Sequence, residues 1–234
     1  MKKVICKSYE EMSALAAFTI ALQIQSKPDS VIGFATGSTP VGTYKRLIEM
    51  EVDFSKVTAF NLDEYYPIKR DNPQSYCYFM KEKLFSHINI PVGNINIPDG
   101  ECDEPVKECA DYDAKLERLG GTDLQILGIG KNGHIAFVEP AENLPLATGL
   151  VDLTDDTIKA NSRFFDKPGD VPRQAISMGL RGIFNSRHIL LLISGQGKAE
   201  VAKKLFAGEL STNVPASLLN LHPNVTVITD GSTD

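Results

Sequence analysis

Short apolar runs and longer amphipathic stretches take turns along the chain. The apolar runs are residues 3–6, 31–35 (VIGFA), 57–62 (VTAFNL), 124–129 (LQILGI), 188–194 (HILLLIS) and 225–229. Runs of four to seven bounded by turn residues predict strands, and an almost wholly apolar run predicts a strand buried on both faces. Between them the spacing predicts helices over 9–25, 73–85, 106–119, 171–184 and 198–207, and a short one over 215–219. Ser8 followed by Glu11 is a capping-box pattern for the first helix. A further helix is expected to open at Pro40 with Thr39 as its N-cap, and Asn72 is expected to cap the helix at 73. Pro172 stands at the start of the expected helix 171–184. Residues 90–100 and 140–156 carry no clear period and are expected to be loops.

Strands alternating with helices predict an α/β fold: one doubly wound domain over residues 1–234, its sheet mostly parallel, with helices on both faces. A length of 234 residues is close to what one hydrophobic core supports. The composition, 42% apolar and 23% charged with net charge −6, is that of a folded chain. It offers no basic patch for nucleic acid or an anionic membrane. The twelve apolar residues 13–24 are too few to cross a bilayer, which takes about 20. With no targeting segment, the cytoplasm is the expected compartment. Cys6, Cys77, Cys102 and Cys109 show neither C-x-x-C spacing nor histidine neighbours, so neither a disulfide framework nor a zinc site is expected.

Three loops could carry chemistry. Thr36-Gly37-Ser38-Thr39-Pro40 joins a strand to a helix start, where free backbone N–H groups and hydroxyls suit a phosphate. It is not a Walker A loop, which favours a phosphorylated small molecule over a nucleoside triphosphate. Asn61-Leu62-Asp63-Glu64-Tyr65 puts two carboxylates at a strand end. If strand geometry continues, Asn61 and Asp63 share a face, and one carboxylate could take a proton α to a carbonyl. Residues 128–139 turn through Gly128, Gly130 and Gly133 and deliver His134 and Glu139, a pair suited to relay a proton near neutral pH. Gly128-Ile129-Gly130-Lys131-Asn132-Gly133 also matches G-x-G-x-x-G, with Asp152 about where a ribose-binding acid belongs. A dinucleotide site needs a helix at that loop, and the two prolines that follow argue against one. Arg163 and Lys198 are cations placed to close on a phosphate. No H-x-x-x-H or other metal-ligand set is visible.

Five motifs in this order are specific as a set: Thr36–Pro40, Asn61–Tyr65, residues 128–140, Ala160-Asn161-Ser162-Arg163-Phe164-Phe165, and Ser194 to Lys198. Together they resemble the glucosamine-6-phosphate deaminase family from about residue 31 to 230. The resemblance implies a cofactor-free conversion of glucosamine 6-phosphate and water to fructose 6-phosphate and ammonia. It implies that His134, held by Glu139 and accompanied by Asn132, opens the sugar ring. Asp63 rather than Glu64 would then move the C2 proton to C1 through an enolamine. Gly37, Ser38, Thr39, Arg163 and Lys198 would hold the phosphate, under a lid around residues 154–175. Two departures stand out. Val138 replaces an asparagine usual in the family, which keeps open a related phosphosugar isomerase or lactonase, or a non-catalytic phosphosugar sensor. Ala147, Gly149 and Val151 replace the cations with which allosteric members bind an effector. That change, with the lack of a long C-terminal tail, implies a monomer or small homo-oligomer without such activation.

Overall fold

The computed structural model describes residues 1–162, 165 and 170–233, without the side chains of residues 156, 160 and 161. Seven parallel strands form the main sheet: β1 (Lys2–Ile5), β2 (Val31–Phe34), β3 (Thr58–Asn61), β5 (Ile95–Asn96), β6 (Leu124–Leu127), β9 (Ile189–Ile193) and β10 (Val225–Thr229). Their order is β1-β10-β9-β6-β2-β3-β5. From β2 the chain builds outward through β3 to β5. It then returns to the other side of β2 with β6 and builds outward again. The reversal between β2 and β6 is where an open parallel sheet leaves a crevice at its carboxyl edge.

Helices cover both faces, as expected. Phe34 is paired with Asn61 in the ladder, so it lies on the face opposite Phe60. Phe34 meets Tyr44 of α2 (Val41–Glu49) edge-on at 5.9 Å, while Phe60 meets Tyr112 of α4 (Pro105–Arg118) at 5.4 Å. Helix α1 (Tyr9–Ser26) buries Met12, Ala16, Ile20 and Ile24, one every four residues. The capping box forms only in part. Ser8 accepts the N–H of Glu11, but Glu11 accepts from Lys7 rather than from Ser8. Strands β2, β6 and β9 are buried throughout, and their residues anchor the main core.

Several expectations are corrected. The expected helix 171–184 is instead a strand, β8 (Gln174–Ser177), followed by the short helix α6 (Leu180–Phe184). β8 is the middle strand of a three-stranded antiparallel sheet, between β4 (Asp63–Tyr66) and β7 (Gly149–Asp152). Ladders on both edges outweigh the weak helical period of this stretch. β7 lies within the stretch expected to be irregular, and β5 within the expected loop 90–100. Helix α2 has Pro40 in the capping position with no side-chain cap, so Thr39 is not its N-cap. Helix α3 (Tyr76–Lys83) is capped by Ser75, whose hydroxyl accepts the N–H of Tyr78. Asn72 instead closes a turn with Gln74. Helix α7 (Ala199–Phe206) stands close to where it was expected. Helix α5 (Asp155–Asn161) leads into residues 163, 164 and 166–169, which lie outside the described residues, with Arg163 and the middle of the expected lid among them. No helix among the described residues is long and apolar enough to cross a membrane.

Candidate active site

Four adjacent strands, β9, β6, β2 and β3, end at the same edge of the sheet, and each delivers one candidate loop there. β2 leads to residues 35–40, β3 to Asp63, β6 to residues 128–139 and β9 to residues 194–198. The topology therefore gathers at one crevice the motifs that the sequence spreads from residue 35 to residue 198.

After β3 the chain bends at Leu62 and enters β4, so strand alternation does not carry across from Asn61 to Asp63. Asp63 and Glu64 then meet different surroundings. Glu64 accepts three backbone N–H groups: Tyr65 at 2.9 Å, Tyr76 at 2.8 Å and Cys77 at 2.8 Å. Two of these donors open α3, so Glu64 anchors that helix's N-terminus. Burial pushes its carboxyl up to about 7, against the pull of the three donors. Asp63 is 7% exposed and has no side-chain hydrogen bond among the described residues. Burial, with Glu64 beside it, pushes it up to about 8. A base is most effective with a pKa near the working pH, and this carboxyl is not occupied by a structural partner. Tyr65, Tyr76 and Phe137 pack against one another, with Tyr76 and Phe137 stacked at 6.1 Å.

The loop after β6 holds the relay pair in a tight frame. His134 lies against Gly130, where a Cβ would come within 2.3 Å of the imidazole. Gly133 takes φ +94, a conformation open to glycine and strained for other residues. A turn from Ile135 to Val138, with Ala136 at φ 51, then returns Glu139 beside the ring. His134 Nδ1 lies 3.3 Å from Glu139 Oε1, but the ring is turned so that no hydrogen bond is formed. Asn132 donates to Glu139 Oε2 at 2.7 Å and accepts the N–H of His134 at 3.2 Å. Thr157 on α5 donates to Glu139 Oε1 at 2.5 Å. Burial would raise the Glu139 carboxyl, but His134, Thr157 and Asn132 outweigh it and hold it down to about 2. No helix follows this loop until Asp155, so the G-x-G-x-x-G spacing lacks the helix a dinucleotide needs. Asp152 sits on β7, accepting from Gln174.

Ser177 ties the two halves of the site together. It is the ladder partner of Asp63, and its Oγ accepts the N–H of Phe137 at 3.1 Å. Val138 is fully buried and packs in the main core. A valine there suits the apolar surroundings.

At the other end of the crevice, Gly37 takes φ +93 and Ser38 is exposed, with Thr39 half-buried beside it. Tyr9 braces this loop. Its hydroxyl lies 3.1 Å from the carbonyls of Ser38 and Thr39 and accepts the N–H of Gly42 at 2.9 Å. Lys198 donates from its Nζ to the carbonyl of Ile129, which sets its ammonium between the β6 and β9 loops. Asp230 accepts from Ser194 and from the N–H of Gly195, fixing the turn that leads to Lys198. The structure thus brings Gly37, Ser38, Thr39, Asp63, Asn132, His134, Glu139 and Lys198 to one edge. It withdraws Glu64 and Val138 into structural roles and leaves Arg163 outside the described residues. Thr157, Ser177 and Tyr9 were not anticipated. Their contacts span 18, 40 and up to 33 residues, and only the fold reveals them.

The family profile of glucosamine-6-phosphate isomerases/6-phosphogluconolactonase matches residues 7–228. A curated glucosamine-6-phosphate deaminase of Halothermothrix orenii is 56% identical over 98% of this chain and 97% of its own length. One of Clostridium perfringens is 50% identical over the same shares. Among solved structures, a monomeric glucosamine-6-phosphate deaminase superposes with a TM-score of 0.97 at 43% identity, covering 100% of this chain and 98% of that one. A 6-phosphogluconolactonase of Trypanosoma cruzi shares the fold, with a TM-score of 0.79 at 20% identity over 99% of this chain and 95% of its own.

Proposed function

The chain belongs to the family of glucosamine-6-phosphate isomerases and 6-phosphogluconolactonases, and we propose that within it the protein works as a glucosamine-6-phosphate deaminase with Asp63 as its base. The substrates are D-glucosamine 6-phosphate and water, and the products are D-fructose 6-phosphate and ammonia. The observation that carries the assignment is the division of labour between Asp63 and Glu64. One carboxyl is engaged by α3, and the other stands buried and unengaged beside the relay loop.

The sugar phosphate lies across the carboxyl edge of β9, β6, β2 and β3. The backbone and hydroxyls of Gly37, Ser38 and Thr39 take the phosphate, with Lys198 and, from its place in the Ala160–Phe165 motif, Arg163. His134 takes the anomeric O1 proton and returns it to the ring oxygen as the C1–O5 bond breaks. Glu139, ionised and held by Asn132 and Thr157, stabilises the imidazolium in between. Asp63 then removes the C2 proton of the open aldehyde while a proton of the substrate's own ammonium passes to O1, giving a C1–C2 enolamine. The same proton returns at C1 and leaves an imine at C2. Water adds to that imine and ammonia departs, which leaves the ketone of fructose 6-phosphate. The protons are handled by His134, Asp63 and the substrate itself, and water is the only co-reactant, so the scheme uses no cofactor. We also read the chain as a single domain working in the cytoplasm, and as a monomer on its likeness to the monomeric deaminase.

A competition of substrates tests the reading against the lactonases that share the fold. The protein is offered glucosamine 6-phosphate, galactosamine 6-phosphate and 6-phosphogluconolactone in turn. Ammonia from the glucosamine epimer, with lactone hydrolysis no faster than in buffer, is expected. Accelerated lactone hydrolysis without ammonia would overturn it.

A further inference from the structure

Glu139 Oε1 is approached by two groups, and the nearer is not the histidine. Thr157 Oγ1 donates to it at 2.5 Å, whereas His134 Nδ1 stands at 3.3 Å and is not aligned. Thr157 is itself 7% exposed and belongs to a different element, α5, which is capped by Thr154 through the N–H of Thr157. Its hydroxyl can therefore aim only where α5 points it. Resting on the deaminase reading, we propose that Thr157 is a positioning residue for ring opening, its hydroxyl fixing the Glu139 carboxylate so that His134 meets one defined acceptor.

The geometry leaves few other candidates for that role. Glu139 faces Asn132 and His134 from its own loop and Thr157 from α5, and His134 is the only titratable partner among its described contacts. Asn132 fixes Oε2 and leaves the carboxyl free to swing about that contact. A second donor on Oε1 removes the swing. It also holds the oxygen in place while the imidazole turns toward it during the reaction. A catalytic group held by two donors loses less alignment in each turnover than one held by a single donor. The arrangement links α5, which leads toward residue 163, to the proton relay.

The test compares Thr157→Val, which keeps the shape, with Thr157→Ser, which keeps the hydroxyl. With glucosamine 6-phosphate, Thr157→Val is expected to lower kcat about ten- to a hundredfold, the worth of a hydrogen bond to a charged group. KM and inhibition by inorganic phosphate should stay near wild type. Thr157→Ser should recover most of the rate. In parallel, 13C NMR follows the Glu139 carboxyl without any substrate, its resonance assigned with Glu139→Gln. Its titration midpoint should lie higher in Thr157→Val than in wild type, because one of the donors that hold it down is lost while His134 and Asn132 stay. Wild-type kcat in Thr157→Val, or equal loss in the Val and Ser variants, would overturn the proposal. So would an unchanged Glu139 titration. If wild type itself releases no ammonia, the deaminase reading fails, while the NMR titration still decides whether Thr157 holds Glu139. Should Thr157→Val not fold, Thr157→Cys, with a weak donor of similar size, takes its place and should turn over more slowly than Thr157→Ser, and equal rates would overturn the proposal.

Discussion

Replacing Asp63 with Asn removes a carboxyl that burial holds far above its ordinary 3.8, up to about 8. Below pH 4 such a group is neutral in both folded and unfolded chains, and as pH rises from there toward 8 the folded state loses stability because only the unfolded chain gives up the proton. Asp63→Asn should therefore match wild type in thermal stability at pH 4 and exceed it at pH 8, while ammonia release disappears. Glu64→Gln should do the reverse. It loses one of the two acceptor oxygens that serve α3, which costs about 1–3 kcal/mol of stability, and it retains turnover. Thermal melts and rates of both variants at the two pH values check this. A dead Glu64→Gln with native stability would exchange the two roles. The sequence showed that one of two adjacent carboxylates could be the base, but not which. The deciding donors, Tyr76 and Cys77, lie 12 and 13 residues away and reach Glu64 only when α3 folds back on β4.

At the scale of elements, six of the seven parallel strands were legible because they are short, apolar and bounded by turn residues, whereas β5, only two residues long, was not. The loops 36–40 and 128–139 were legible because glycines, a histidine and a glutamate have few reasons to gather at strand ends. β8 was not. Gln174-Ala175-Ile176-Ser177 is too short and too mixed to announce a strand, and its identity depends on β4 and β7 pairing with it. The same strand carries Ser177, whose hydroxyl joins Asp63's strand to the relay loop, so misreading the element also hid the residue. Helix α1 likewise read as a core helix only, yet its first residue, Tyr9, braces the loop expected to take phosphate. Tyr9→Phe leaves the N–H of Gly42 and the loop without that hydroxyl. The KM for glucosamine 6-phosphate should rise roughly fivefold, about 1 kcal/mol, with kcat nearly unchanged. Steady-state kinetics checks this, and a fall in kcat alone would place Tyr9 elsewhere in the reaction.

For the whole molecule, the reversal of strand order between β2 and β6 makes one crevice out of four loops, and that topology follows from alternation of strand and helix. The second, three-stranded sheet does not follow from it. It sets β4 with Asp63 on one edge of β8 and β7 on the other. β7 holds Gly149 and Val151, which with Ala147 before it offer no cation for a phosphorylated effector. Saturation by glucosamine 6-phosphate should therefore be hyperbolic and unaffected by a second, non-reacting amino-sugar phosphate, and sedimentation should give a species of 25.6 kDa. A stable hexamer with sigmoidal kinetics would contradict both. The most direct test of the central claim is ammonia release from glucosamine 6-phosphate by the purified protein, with metal chelator present and no nucleotide added. The account predicts ammonia and fructose 6-phosphate in equal amounts. Binding of the sugar phosphate with no ammonia at high protein concentration would contradict it and leave a phosphosugar sensor in its place.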